Sequence, residues 1–165
     1  MNGLVNKHIV DVADFKVSRN SDDILITGAL GSCVAVAVYD PQVHVGGLLH
    51  FILPHSSLDE DRARYAPAMF ADTGIPLLLQ SCYAMGCHKK RMTIRVAGGA
   101  TVANTGSDSA MGRENVFAVK KIFSEHDFPI EGEDTGDNCI RCVHMLISDG
   151  GVMVRSSNRT RIVRL

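Results

Sequence analysis

Cys33 and His50 are residue types that could carry covalent chemistry in this chain. A free thiol is mostly protonated near neutral pH, and an imidazole beside it makes the reactive thiolate. Both sit in apolar runs separated by the turn chemistry of Asp40-Pro41-Gln42-Val43. A hairpin centred between Pro41 and Gln42 sets Cys33 directly opposite His50, with Cβ atoms about 4.5–5.5 Å apart on one face. An off-centre turn or a bulge would break that register. The turn Gly28-Ala29-Leu30-Gly31-Ser32 leads into Cys33. Glycines let a backbone turn tightly and present N–H groups, so Gly31 and Ser32 are candidates to hold an oxyanion beside the nucleophile. Thr27 ends the preceding strand and is placed to hold the second ring nitrogen of His50, fixing its tautomer. Spacing alone leaves the plainer reading open: a cysteine in an apolar strand is commonly packing, and a histidine between Leu49 and Phe51 is commonly a core residue.

The elements that must position these residues are legible from local pattern. Ile24 to Thr27 reads as a short strand. Cys33 to Tyr39 alternates small and β-branched residues on both faces, which indicates a strand covered on both sides. Gly47 to Leu53 returns as a second apolar strand and stops at Pro54. Residues 55 to 66 are charged and read as an exposed loop or a frayed helix start. From Ile75 the positions Ile75, Leu78, Leu79, Cys82 and Met85 keep helical spacing, with Pro76 in the first turn and Gly86 closing the far end. Met92 to Val96 is a strand running into Ala97-Gly98-Gly99-Ala100, backbone that must approach something closely. Val116, Val119, Ile122 and Phe123 mark a second amphipathic helix from about Arg113 to Glu125. Val143 to Ile147, Val152 to Arg155 and Arg161 to Leu165 read as closing strands, with Asp149-Gly150-Gly151 as a turn. The expected fold is α/β (α+β): a single domain, residues 1–165, of packed mixed β-sheets flanked by at least two helices.

Length and composition agree with one domain. The 165 residues are 45% hydrophobic and 21% charged, near globular averages, which excludes a disordered or fibrous chain. Seventeen Lys and Arg balance 18 Asp and Glu, so no basic excess proposes nucleic acid as a partner. The first 15 residues carry acids and no apolar run, arguing against a signal peptide. No stretch approaches the ~20 apolar residues that span a bilayer. Five cysteines cannot all pair within one chain, and a cytoplasmic protein with reduced thiols is expected, without direct membrane insertion. Cys139-x2-Cys142 with His144, and Cys82-x4-Cys87 with His88, are incomplete halves of a zinc site, and core and loop thiols are the preferred reading. Arg155, Arg159, Arg161 and Arg164 form a basic strip that reads as an exposed cationic face.

A family resemblance adds to this reading. The run Ile26-Thr27-Gly28-Ala29-Leu30-Gly31-Ser32-Cys33-Val34-Ala35-Val36, then Asp40-Pro41, then Gly46-Gly47-Leu48-Leu49-His50-Phe51-Ile52-Leu53-Pro54, is similar to CheD, the bacterial chemoreceptor glutamine deamidases. Arg64-Tyr65-Ala66, Asp72-Thr73, Ala97-Gly98-Gly99-Ala100 and Gly112-Arg113-Glu114-Asn115-Val116 match further signatures in order, from about Val17 to Arg155. The resemblance implies Cys33 as nucleophile, His50 as base and Thr27 as support to the histidine. It implies hydrolysis of specific glutamine side chains on methyl-accepting chemotaxis receptors through a thioester, with no metal and no cofactor. It also implies a CheC-type phosphatase as partner, so a non-enzymatic adaptor that binds and regulates that phosphatase is the alternative. One segment departs from the family pattern: Asp137 and Ile140 stand in Asp134-Thr135-Gly136-Asp137-Asn138-Cys139-Ile140-Arg141 where glycines are usual. If those positions need positive φ, the loop must be reshaped at about 1 kcal/mol or more per residue, affecting partner docking or substrate preference before the dyad.

Overall fold

The computed structural model describes residues 5–101 and 108–165; the N-terminal expectation for residues 1–4 lies outside them. The strands are β1 (Asn6–Val10), β2 (Asp14–Ser18), β3 (Asp23–Thr27), β4 (Val34–Asp40), β5 (Val45–Phe51), β6 (Thr93–Gly98), β7 (Ile130–Thr135), β8 (Arg141–Leu146), β9 (Val152–Ser156) and β10 (Val163–Arg164). The helices are α1 (Glu60–Tyr65), α2 (Ala71–Ala84) and α3 (Asp108–Glu125). One sheet runs β1-β3-β8-β9-β10 and the other β2-β5-β4-β6-β7. Both are mixed, since β1 pairs with β3 and β6 with β7 in parallel.

The layering follows from β4. Its residues Val34, Val36 and Val38 pack with Ile75, Leu78 and Phe123 of α2 and α3. Its alternate residues Ala35, Ala37 and Tyr39 pack with Leu25, Val143 and Met145 of the other sheet. The result is sheet on sheet on helices, with β4 and β5 buried on both faces. Small residues make the close stacking possible. A Cβ at Gly46 would meet Ile147 and Met145 across the inter-sheet space, and one at Gly47 would meet Leu78 and Cys82 of α2.

The β4–β5 hairpin corrects the expected register. Asp40 pairs with Val45, Ala35 with His50 and Val34 with Phe51. His50 therefore faces Ala35, not Cys33. The cause is the turn: buried Asp40 stays in its strand, where its carboxylate accepts the Gln42 N–H at 3.0 Å and the His88 N–H at 2.9 Å and pairs with Arg91. The loop then runs from Pro41 to His44, which takes a positive φ of 51°. The shift is two residues, and side-chain direction repeats every two, so Cys33 and His50 keep the same face.

Helix α2 begins at Ala71, four residues before Ile75, so Pro76 lies inside the helix instead of its first turn. Asp72 near the helix start accepts the Ser56 N–H and hydroxyl, which anchors the chain ahead of it. Gly86 (φ 95°) closes the helix as its sequence position indicates. Residues 60–65 form the short helix α1, capped by Asp59. The strands β1, β2 and β7 carry no strong sequence signal, because each is a sheet edge that includes polar, incompletely buried positions.

Candidate active site

Thr27, Cys33 and His50 are brought to one end of the inter-sheet space. Thr27 shares its strand face with Leu25, which packs there; Cys33 packs against the same cluster, and His50 shares its face with Leu48. Cys33 lies just before β4 and is half-buried, whereas His50 is fully buried. Their relation is diagonal across the hairpin, a separation of about 7–8 Å between backbones in a regular pair. Neither ring nitrogen of His50 forms a hydrogen bond of full geometry, although the Val10 backbone lies near the ring. Burial holds the imidazole below its ordinary 6.5, against the opposing effects of the Val10 backbone and the Asp11 carboxylate. Burial pushes the Cys33 thiol up, partly offset by its own amide N–H. Both shifts favour the uncharged form of each side chain.

The Thr27 hydroxyl accepts the Val143 N–H at 3.0 Å, and the Thr27 carbonyl accepts the Cys142 thiol at 3.1 Å. No hydrogen bond from Thr27 to His50 is formed in this arrangement. A hydroxyl retains a second lone pair and its own proton for such a contact. The main chain of His50 is fixed: its carbonyl accepts the Ala13 N–H at 2.9 Å, and the residue pairs with Asp14 on one side and Ala35 on the other.

The Gly28–Ser32 turn is open to solvent at Gly28 and Ala29 and closes over buried Leu30. Neither Gly28 nor Gly31 takes a positive φ, and a Cβ at Gly28 would meet nothing. The strained glycines sit on the neighbouring strand end instead, at Gly98 (φ 115°) and Gly99 (φ 66°). A Cβ at Gly98 would collide with the Cys33 carbonyl oxygen. The Gly99 N–H donates to that carbonyl at 2.8 Å, and the Ala100 N–H donates to the Gly31 carbonyl at 2.9 Å. The close approach expected of Ala97–Ala100 is thus to the turn that carries the thiol.

The divergent 134–141 segment braces the same turn. Leu30 and Arg141 exchange both backbone hydrogen bonds, the Gly136 N–H donates to the Gly98 carbonyl, and the Thr101 N–H donates to the Asp137 carbonyl. Arg141 is fully buried and bonds the Asp134 carboxylate and the Gly136 carbonyl. Burial raises the Asp134 pKa, but Arg141 and Arg159 outweigh it and hold the carboxyl below its ordinary 3.8. Asp137 does take a positive φ of 57°, while Ile140 does not. Positive φ in this loop strains one non-glycine residue, Asp137. Asp137→Gly is expected to raise stability by about 0.5–1 kcal/mol, since glycine adopts this region without steric cost. Urea unfolding checks it: a lower midpoint would mean the Asp137 side chain contributes more than its backbone costs.

Cys82 and Cys87 lie against each other. Hydrogen bonding between Cys82 and Cys87 raises the first thiol and lowers the second. His88 Nδ1 accepts the Lys90 N–H. Among the described residues no three His, Cys, Asp or Glu side chains converge as metal ligands. The basic strip is partly neutralised, with Arg159 paired to Asp134 and Arg164 to Asp149. No described helix is long and apolar enough to cross a membrane.

Sequence reasoning took Asn115 only as part of a motif. It is fully buried, and its carboxamide donates to the Ser32 carbonyl at 2.9 Å and the Ile52 carbonyl at 2.6 Å. A polar residue four before Val119, on the buried stripe of α3, is the signal that could have found it.

The family model described as CheD chemotactic sensory transduction matches residues 52–156. The chain is 53% identical over 149 residues to the probable chemoreceptor glutamine deamidase CheD 1 of Syntrophus aciditrophicus, covering 90% of this chain and 93% of that one. It is 38% identical over 150 residues to the probable chemoreceptor glutamine deamidase CheD 2 of Anaeromyxobacter dehalogenans, covering 91% and 94%. A relative from Solibacter usitatus, with the same deamidase name, is 35% identical over 153 residues. Matches of this extent, on a chain whose paired mixed sheets carry the family's motifs, leave one assignment: the chain belongs to the CheD family.

Proposed function

We propose that this protein hydrolyses glutamine side chains of chemoreceptors to glutamate, with Cys33 as nucleophile, His50 as acid and base, and Thr27 orienting His50. The observation that carries the reading is the arrangement of a half-buried thiol at the mouth of a braced turn, sharing the inter-sheet face with a buried neutral imidazole. The relatives' names supply the substrate class. Histidine in its neutral form takes the thiol proton as Sγ attacks the carboxamide carbon. The carbonyl electron pair moves to oxygen, where N–H groups of the turn at Gly31 to Cys33 stabilise it. Collapse expels ammonia with the proton from His50 and leaves a thioester. His50 then activates water, whose attack releases glutamate and returns the thiol. Apo geometry is commonly looser than the reacting complex, which accommodates the absent Cys33–His50 hydrogen bond. No step calls for a metal or a cofactor, and reduced thiols suit a cytoplasmic setting for the reaction. A CheC-type phosphatase is the regulatory partner this reading carries over from the resemblance.

Mass spectrometry of a chemoreceptor cytoplasmic fragment incubated with the protein tests the substrate: Gln-to-Glu conversion is expected, and its absence would sink the reading. The pH profile tests the pair. A depressed imidazole stays neutral below 6.5, and a raised thiol keeps its proton above 9.0. The kcat/KM plateau is therefore expected to extend below the first value and beyond the second. An acid limb centred above 6.5 would contradict the buried, neutral His50.

A further inference from the structure

The two hydrogen bonds of Asn115 reach the residues flanking the proposed reacting pair. One N–H of its carboxamide holds the carbonyl of Ser32, just before Cys33, and the other that of Ile52, two residues after His50. Cys33 and Ile52 would be the next opposed pair beyond Val34 and Phe51, so Asn115 closes the open end of the β4–β5 ladder. It does so from the helix side, since α3 packs on the face that carries Val34, Val36 and Val38. The thiol lies on the opposite face.

The Ser32 carbonyl and the Cys33 N–H belong to one planar trans peptide, in which the two groups point in opposite directions. A carbonyl held toward α3 turns the Cys33 N–H away from α3, to the side of its own Sγ. That amide favours the Cys33 thiolate, so it does lie near the sulfur. Among the described residues no backbone carbonyl accepts the N–H of Gly31, Ser32 or Cys33. The next peptide is fixed too, because the Cys33 carbonyl accepts the Gly99 N–H.

We propose that Asn115 is a positioning residue of this site: by gripping the Ser32 carbonyl it aims the Cys33 N–H at the oxyanion that forms when Sγ attacks a carbonyl carbon. The inference rests on Cys33 being the nucleophile. Asn115 touches no reacting atom. Its contribution is the direction of one peptide plane, set before substrate arrives.

Two reactions at the same sulfur separate aim from mere folding. Acylation by p-nitrophenyl acetate forms an S–C bond, places an electron pair on the carbonyl oxygen and expels p-nitrophenolate, leaving a thioester. Alkylation by iodoacetamide displaces iodide at a saturated carbon and develops no oxyanion. Both are read at the Cys33 peptide by mass. In Asn115→Ala, acylation is expected to slow by about 10–100-fold, short of or equal to the loss of a whole oxyanion donor, with alkylation within about twofold of native. In Asn115→Asp the shape is kept but a carboxylate cannot donate. Its acylation rate relative to native is expected to rise as pH falls and the carboxyl regains a proton. Native acylation in Asn115→Ala, or a parallel fall in both reactions, overturns the inference. Should Asn115→Ala not fold, a relative rate in Asn115→Asp that is flat with pH overturns it. Cys33→Ala run alongside isolates the premise: unchanged p-nitrophenolate release there removes Cys33 as the reacting thiol, and the inference with it.

Discussion

Cys33→Ala is expected to bring receptor deamidation down to background while the protein remains folded. The thiol forms the only covalent bond to substrate in the proposed reaction, so no partial route through His50 survives its removal. The structural cost is small by comparison. Cys33 is half-buried before the start of β4 and packs only against the edge of the inter-sheet cluster. Loss of one sulfur there should cost on the order of 1 kcal/mol, at the low end of core truncations. The pair of measurements is Gln-to-Glu conversion in a receptor fragment and the thermal midpoint. Native conversion in the folded variant would remove Cys33 from the mechanism.

His50→Ala carries the second large effect. A residue that donates to ammonia, activates water and generates the thiolate should contribute at least the 10²–10⁴-fold typical of general acid–base groups, about 3–5 kcal/mol of barrier. The fully buried site leaves a cavity worth about 2–4 kcal/mol in other proteins, but two ring nitrogens without a hydrogen bond of full geometry are removed with it. Asparagine at this position fills part of the space and cannot cycle a proton, so His50→Asn should be nearly as inactive and better folded. A pull-down with a CheC-type phosphatase separates enzyme from adaptor. Binding is expected to survive both changes, because His50 lies inside the sandwich and presents no surface. Full deamidation by folded His50→Asn would end the acid–base assignment; binding lost while turnover persists would favour the adaptor.

The strands that surround the site were the legible part of the chain, because β4 and β5 are buried on both faces and largely apolar. Side-chain parity was also recoverable, and it places Cys33 and His50 on one face whether the hairpin centre is put one residue early or not. The centre itself was hidden: it depends on Asp40 holding His88 and Arg91, contacts about fifty residues away in sequence. The same kind of remoteness hid the support of the turn. Glycines at 28 and 31 drew attention, yet the conformational demand falls on Gly98 and Gly99, which touch Cys33 only through the sheet. Asp137 was legible as a departure, but whether it adopts the glycine conformation depends on Arg141 and Asp134 behind it. The edge strands β1, β2 and β7 escaped notice because polar residues at a sheet margin look like loop.

Gly46 and Gly47 admit opposing layers to the two faces of β5, one sheet from one side and α2 from the other. A strand pinched in this way is a fixed post, and His50 stands on it. On the proposed assignment, the backbone that carries His50 stays in place and the imidazole reaches the thiol by turning about its own torsions. Such rotations belong to far shorter times than the microseconds to milliseconds of lids and domains. On that reading, the slow event is the seating of a receptor segment with one glutamine held still.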